Sequence, residues 1–304
     1  MRSVAVIFRI DGADARATGG VVRSVRGAGL SLLALVTSLA PALVACAPAT
    51  GATPVAEPTL DVPRIGSAGV EPVSQGIRFG RSAPAVGARW SVMVDARSAA
   101  PDPQGGTQLS AYLSSYSVEV LAIHGPAPSR VRLRFDKNLH RYQGIDTATS
   151  IDGKTYVFDA VPPYVRDGAG SPVPEDEVER VLDIFPDLGT RTQVDQVLPD
   201  AAMEIGEARD ELAGAILSVI HPRAWTLDAG SAVLARAEGG DAVFAVAIDA
   251  TGKSGLRMRV KGEARVRLRD ARLTLIAVDG TYAPGGGGAS ETGTFSLRRT
   301  VRDR

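Results

Sequence analysis

Apolar and polar residues alternate along much of this chain. The cleanest stretch is 256–268, where apolar residues occupy the even positions and charged residues the odd ones, with Gly262 as the exception. A period of two is typical of a β-strand that buries one face. The glycine leaves two interpretations open, one long bent strand or a hairpin that turns at Lys261-Gly262. After Arg269 the apolar phase moves to odd positions, which predicts a turn or bulge at Asp270-Ala271.

The same alternation recurs in shorter stretches, which predict further strands. These lie at 89–95, 112–123, 130–135, 232–237, 243–248, 273–282 and 294–301. Asp152-Gly153 separates segment 147–151 from segment 155–158. Because Asp-Gly favours a tight two-residue turn, these two segments are predicted to form a hairpin.

Two segments have helical spacing instead. The first runs from Glu175 to Phe185, between Pro174 and Pro186, and the second from about Glu204 to Ile220. A proline and acidic residues at the start suit the positive end of a helix. The predicted fold class is therefore mainly antiparallel β (α+β), with two amphipathic helices between two β-rich halves. The globular domain is predicted to cover residues 85–304, and this pattern allows two β-lobes within it, at 85–165 and 199–304.

The first 45 residues differ from the rest of the chain. Residues 30–45 form an apolar run, preceded by Arg23 and Arg26. A basic flank and a short apolar stretch predict a secretory signal peptide at 1–45. The run is shorter than the roughly 20 residues of a stable membrane span and contains Pro41, so a permanent span is disfavoured. Residues 1–20 extend the leader unusually far, and translation is predicted to start near Val21 or Val22.

The run ends in Leu43-Val44-Ala45-Cys46, and Cys46 is the single cysteine of the chain. This sequence resembles the lipobox of bacterial lipoproteins. The resemblance implies that Cys46 receives a diacylglyceryl thioether, that the leader is cut before it, and that the new amine is acylated. It also implies an exported protein anchored to the cell envelope, on the periplasmic side of the outer membrane if the host has two membranes. An ordinary signal peptide followed by a chance cysteine is the alternative. No family is identified for the domain that follows.

Residues 46–84 are rich in Pro, Gly, Ala, Ser and Thr and have no apolar period. They are predicted to form the lipidated start and an extended, disordered tether. The chain carries 34 Lys and Arg against 34 Asp and Glu, and 44% of its residues are hydrophobic. This balance argues against a nucleic-acid partner and against a wholly disordered chain.

One candidate surface emerges from the charge pattern. The polar side of the 256–269 stretch is strongly basic, with Arg257, Arg259, Lys261, Arg265, Arg267 and Arg269. Such a face is a candidate contact for anionic lipid headgroups or cell-wall polymer. The alternative is a solvated outer face, partly neutralised by the acidic residues of 174–211.

Candidate chemistry is sparse. The three histidines are scattered and the single cysteine has no partner, so no metal site is predicted, and no cofactor beyond the lipid on Cys46. No G-x-S-x-G motif nominates a serine nucleophile. The favoured hypothesis is a non-enzymatic, membrane-anchored envelope lipoprotein whose curved sheet binds an apolar or amphiphilic ligand, or a partner protein. In outline this is similar to periplasmic lipoprotein carriers. An envelope hydrolase with unidentified carboxylate or serine chemistry is the alternative.

Overall fold

The computed structural model describes residues 76–102, 105–220, 225–252, 255–284 and 292–304. The strands are β1 (Arg89–Pro101), β2 (Thr107–His124), β3 (Ala127–Tyr142), β4 (Ile145–Ala148), β5 (Thr155–Ala160), β6 (Pro163–Asp167), β7 (Ala208–Arg209), β8 (Trp225–Glu238), β9 (Asp241–Gly252), β10 (Leu256–Arg267), β11 (Leu273–Pro284) and β12 (Gly293–Asp303). The helices are α1 (Glu175–Ile184), α2 (Gln193–Val197) and α3 (Asp210–Ile220). The signal peptide, Cys46 and most of the predicted tether lie outside the described residues.

All twelve strands belong to one antiparallel sheet. Its order is β6-β5-β3-β2-β1-β12-β11-β10-β9-β8-β7, and β4 pairs with β3 off this path. The first and last long strands lie side by side, in a register that runs from Trp90 opposite Asp303 to Ala99 opposite Thr294. The prediction of a mainly antiparallel β fold is confirmed, and the two β-rich halves share a single sheet through the β1–β12 pairing.

One face of the sheet, called here the covered face, carries most of the apolar side chains. Directly opposed residues of antiparallel strands point to the same side. Ala96 lies opposite Leu297, which in turn lies opposite Val278, and all three are buried. The helices pack on this face over two clusters of buried residues. One cluster joins α2 and α3 to β8–β12, and the other joins α1 to β1–β3, β5 and β6.

The helices differ from the prediction of two. Helix α1 begins at Glu175 as expected, with three acidic residues in its first turn. Helix α2 was not expected, and it is one short segment whose start is capped by the Thr192 hydroxyl, which accepts the backbone N–H of Asp195. Helix α3 begins at Asp210 rather than near residue 204. The residues before it form a turn at Gly206, where φ is +91°, and the short strand β7.

The predicted hairpin at Asp152-Gly153 is wrong. Strands β4 and β5 do not pair with each other, because both pair with β3 along the same edge. Residues 149–154 form a bulging turn between them, held by Asn138, whose backbone N–H donates to the Asp152 carboxylate at 2.5 Å. Buried Ile151 anchors this turn in the core. The Asp-Gly pair correctly predicted a turn, but this local signal could not specify which strand pairs with β5.

Strand β10 is continuous, so of the two interpretations of Gly262 the bent strand is correct and the hairpin is wrong. It pairs with β9 and with β11 on both sides of the glycine. A Cβ at Gly262 would lie 2.0 Å from the carbonyl oxygen of Ala277, and this close approach of two backbones requires glycine. The turn expected at Asp270-Ala271 is present, with Ala271 at a φ of +52°.

The end of the predicted tether is part of the domain. Ile77 forms a β-bridge with Met203, and the ring of buried Phe79 stacks on Phe244 with centroids 6.3 Å apart. The backbone N–H of Gly80 donates to the Leu268 carbonyl at 2.6 Å. The ordered domain therefore begins several residues before residue 85.

Candidate functional site

A cavity of about 290 Å³ lies on the covered face, over the strands where the two halves of the sheet meet. Three neighbouring strands form most of its wall. Their lining side chains are Trp90, Val94 and Ala96 from β1, Tyr112, Ser114 and Tyr116 from β2, and Leu297, Arg299 and Val301 from β12. The register sets them in rows, because Val94 lies opposite both Ser114 and Arg299. This volume lies near the lower end of the range of small-molecule sites.

Segments from four regions of the chain close the cavity. They are residues 183–195 between α1 and α2, the last residues of α3, the N-terminal segment around Arg81, and the turn at 270–272. None of these segments contributes a ladder strand to the wall. The cavity therefore has a wall that is hydrogen-bonded as a sheet and a cover made of loops and helix ends.

Arg81 ties the N-terminal part of the cover to α2. Its guanidinium forms an ion pair with Asp195 and donates to the Asp195 and Leu198 carbonyl oxygens, each at 2.7 Å. These contacts satisfy carbonyl groups around the end of a short helix that would otherwise lack partners. One side chain therefore links two covering segments that are more than a hundred residues apart in the chain.

Charged residues surround one end of the cavity at Trp90. The guanidinium of Arg272 lies over the Trp90 ring, 4.1 Å from its centroid, and its pKa is lowered mainly by burial. Asp303 accepts from Arg267 at 2.5 Å and pairs with Arg272 at 3.4 Å. Burial alone would raise the pKa of Asp303, but the hydrogen bond and charge of Arg267 and the charge of Arg272 hold it below its usual range. This end of the cavity is an ion-pair network in which Arg267 and Arg272 share the Asp303 carboxylate.

A polar band crosses the covered face beside the cavity. The buried amide of Asn138 donates to the Tyr112 hydroxyl at 2.8 Å and to the Ser114 hydroxyl at 3.0 Å. Its carbonyl oxygen accepts from the Thr149 hydroxyl at 2.6 Å. Burial raises the pKa of Tyr112, and the hydrogen bonds of Ser114 and Asn138 offset part of that shift. These groups satisfy each other, as buried polar groups must.

Arg299 is the charged side chain that the strands contribute to the wall. It lies on the covered face of β12, in line with Leu297 and Val301, and is partly buried. Buried Tyr116 lines the same wall from β2, two strands away. Burial raises the pKa of Tyr116, while the positive charge of Arg299 acts in the opposite direction.

The six basic residues singled out in the sequence lie away from this cavity wall. Arg257, Arg259 and Lys261 are exposed on the opposite, open face of β10. Ion pairs join Arg259 to Asp249, Arg265 to Glu263, Arg267 to Asp270 and Arg269 to Asp303. The neutralising acids are therefore neighbours in the sheet and its turns, and the idea that the acidic segment 174–211 supplies them is corrected. Contact of this face with an anionic surface stays a prediction.

The residues that matter for the cavity were missed in the sequence, although one signal was present. In the predicted strand 294–301, the odd positions carry Phe295, Leu297, Arg299 and Val301. A charged residue in the buried phase of a strand is unusual, and it marks a candidate functional position. The cavity itself had no local signal, since its wall joins β1 and β2 to β12, which lies far away in the sequence.

Two further features are absent from the described residues. Within the described ranges there is no group of three or more His, Cys, Asp or Glu side chains placed to hold a metal ion. No helix in these ranges has the length and apolar character needed to cross a bilayer.

Comparisons with known proteins identify no family. No family model matches the chain, and no curated protein matches it. Among solved structures, the chain is similar to "Crystal structure of MucB in complex with MucA(peri)" at 9% identity, over 71% of this chain and 89% of that chain, with a TM-score of 0.12. Because a score this low does not indicate a shared fold, the likeness supports neither a family nor a function.

Proposed function

We propose that this chain is a lipoprotein of the bacterial cell envelope that binds an apolar or amphiphilic ligand in its covered cavity without converting it chemically. The observation that carries the proposal is the cavity of about 290 Å³, whose wall is built mainly of apolar and aromatic side chains. Such a lining favours apolar ligand groups, because their transfer from water releases about 25 cal/mol for each Å² of apolar surface buried.

The division of the site into wall and cover supports a binding role. The wall belongs to a continuous ladder of long strands, so it is a rigid template. The cover consists of loops and helix ends attached by a few side chains such as Arg81. Segments with few backbone partners open at lower free energy than the strands of a sheet. A ligand can therefore enter by local opening of the cover while the wall keeps its shape.

The anchor is the second part of the proposal. The lipobox resemblance at Leu43-Val44-Ala45-Cys46 and the apolar run before it support lipidation of Cys46. One acyl chain gives reversible membrane binding, whereas two or more give stable anchoring, at about 0.8 kcal/mol per buried methylene. The residues between Cys46 and Gly76 would then serve as a tether to the envelope. In a host with two membranes, the outer membrane is the proposed location.

The ligand proposal is tested by native mass spectrometry of the full chain carrying Cys46→Ser, produced in a bacterial host. We expect a co-purified apolar or amphiphilic molecule. Ala96→Trp, which places an indole in the cavity, should reduce its occupancy. Ala99→Trp, three residues away on the open face of the same strand, is the matched control. A chain that is always empty and takes up no apolar probe would overturn the proposal. Turnover of ester or cell-wall substrates would instead favour the hydrolase.

The anchor proposal is tested by membrane fractionation and by labelling with radioactive palmitate. The natural chain is expected in the membrane fraction, carrying label, until detergent releases it. Cys46→Ser should abolish the label, whereas Ala49→Ser should leave both results unchanged. Palmitate label that survives Cys46→Ser would contradict the lipid anchor.

A further inference from the structure

The wall of the cavity holds one cation whose charge no carboxylate balances among the described residues. Three other arginines line the cavity from its cover and its turn, and each has an acidic partner. Arg81 pairs with Asp195, Arg191 lies 3.7 Å from the same carboxylate, and Arg272 pairs with Asp303 at 3.4 Å. Arg299 forms no ion pair within the described ranges, and the other polar side chains of the strand wall, Tyr112, Ser114 and Tyr116, are neutral.

A partly buried guanidinium beside apolar side chains loses part of its hydration. No ion pair with an opposite charge compensates for that loss. Burying an unpaired charge is unfavourable, so such a group is retained where it has an external partner. The neighbours of Arg299 across the sheet are Val94 on one side and Ile276 on the other, and neither can accept a hydrogen bond with its side chain. The remaining donors of the guanidinium are therefore available to a molecule in the cavity.

Tyr116 adds a second donor to the same wall. Its side chain lines the cavity from β2, and a phenol O–H can donate to an acceptor in the cavity. A guanidinium and a phenol that both donate suit a carboxylate or another anionic oxygen group.

We propose that the ligand is a single-chain anionic amphiphile, whose head group is bound by Arg299 and the Tyr116 hydroxyl while its chain lies against the apolar wall. This inference rests on the proposed ligand-binding function and adds the charge and size of the ligand. One chain is specified because about 290 Å³ is small among ligand sites.

The test compares three probes with the same ten-carbon chain, decanoate, decanol and decyltrimethylammonium, by calorimetric titration into the full chain carrying Cys46→Ser. Decanoate is expected to bind about 10- to 100-fold more tightly than decanol, as charge-assisted hydrogen bonds imply. The cationic probe is expected to bind most weakly. Arg299→Gln should remove the preference for decanoate and leave the affinity for decanol unchanged.

Two further variants make the result specific. Arg298→Gln changes the neighbouring arginine, which is exposed on the open face, and should preserve the preference for decanoate. Tyr116→Phe keeps the ring and loses the hydroxyl, so it should weaken decanoate binding about 3- to 10-fold without affecting decanol. Thermal unfolding of each variant checks that the domain is intact, and Arg299→Met, which keeps a long side chain without the charge, replaces Arg299→Gln if that variant does not fold.

The outcomes separate this inference from the proposed function. Equal affinity for decanoate and decanol, or a preference for decanoate that survives Arg299→Gln, would overturn the inference while ligand binding stands. Absence of binding by all three probes would overturn the proposed function itself.

Discussion

The hydroxyl of Tyr156 on β5 donates a 2.5 Å hydrogen bond to the carboxylate of Glu177 on α1, and both side chains are buried. The other oxygen of Glu177 accepts from the Lys154 ammonium at 2.7 Å. Burial raises the pKa of Tyr156, and the hydrogen bond and charge of Glu177 raise it further. Helix α1 is therefore held to the sheet by a buried polar contact in addition to the apolar packing of Val181.

Removal of the Glu177 carboxylate should destabilise the domain. Glu177→Ala leaves the Tyr156 hydroxyl buried without its acceptor, and the free energy of unfolding should fall by about 2–4 kcal/mol. Urea denaturation measures the change. Glu175→Ala, an exposed acid in the first turn of the same helix, is the control and should cost less than about 1 kcal/mol. Equal losses in the two variants would show that the buried contact is unimportant.

Loss of Arg81 should loosen the cover of the cavity. Arg81→Ala removes the ion pair to Asp195 and the bonds to two carbonyl oxygens, so amide hydrogen exchange in 193–198 should become at least tenfold faster. Exchange in β9 should stay the same, because the hydrogen bonds and ion pairs of Arg81 in the described residues go to 195–200 and not to that strand. Arg78→Ala, at an exposed arginine nearby, is the matched control. Unchanged exchange in α2 would show that Arg81 does not hold this helix to the N-terminal segment.

His140 should make the stability of the domain depend on pH below neutrality. Burial and, to a smaller extent, the charge of Arg180 lower the pKa of His140 from 6.5. Below about pH 6.5 the unfolded chain therefore binds this proton more readily than the folded chain, and the free energy of unfolding falls as the pH falls. Urea titrations at pH 7 and pH 5 should show a smaller fall for His140→Gln than for the natural chain. His124→Gln, at an exposed histidine, should not reduce the fall.

Two glycines should respond in opposite ways to the same substitution. Gly262→Ala forces a methyl group against the Ala277 carbonyl, a backbone atom that cannot move aside, and should cost about 1–3 kcal/mol of unfolding free energy. Gly214 lies in α3, where an added Cβ would meet the Leu227 side chain at an ordinary 3.6 Å. Gly214→Ala should therefore stabilise the domain by about 0.5–1 kcal/mol. Thermal unfolding of both variants checks the contrast, and stabilisation by Gly262→Ala would contradict the close approach.

The alternation of side chains was enough to place most strands, because a strand that buries one face must repeat with a period of two. It determined β10 through the charged and apolar positions of 256–268 and predicted the turn at Asp270-Ala271. The start of α1 followed from Pro174 and the acids after it, which are local signals. Pairing was harder, and the Asp152-Gly153 turn shows why. A turn is encoded by neighbours in sequence, whereas the partner of β5 is a distant part of β3, with Arg134 opposite Thr155 and Arg130 opposite Asp159.

The sequence by itself determined the class of fold, the order of its main elements, and the prediction of a leader that ends in a lipobox, because each of these is encoded in consecutive residues. Only the tertiary structure decided where the cavity lies and which charged side chain of the strands lines its wall. Val94 and Arg299 are 205 positions apart and become neighbours because β1 pairs with β12. The tie between Arg81 and α2 also spans more than a hundred residues. A binding site assembled from the first and last long strands of a sheet has no local pattern, since its geometry arises from the pairing of β1 with β12.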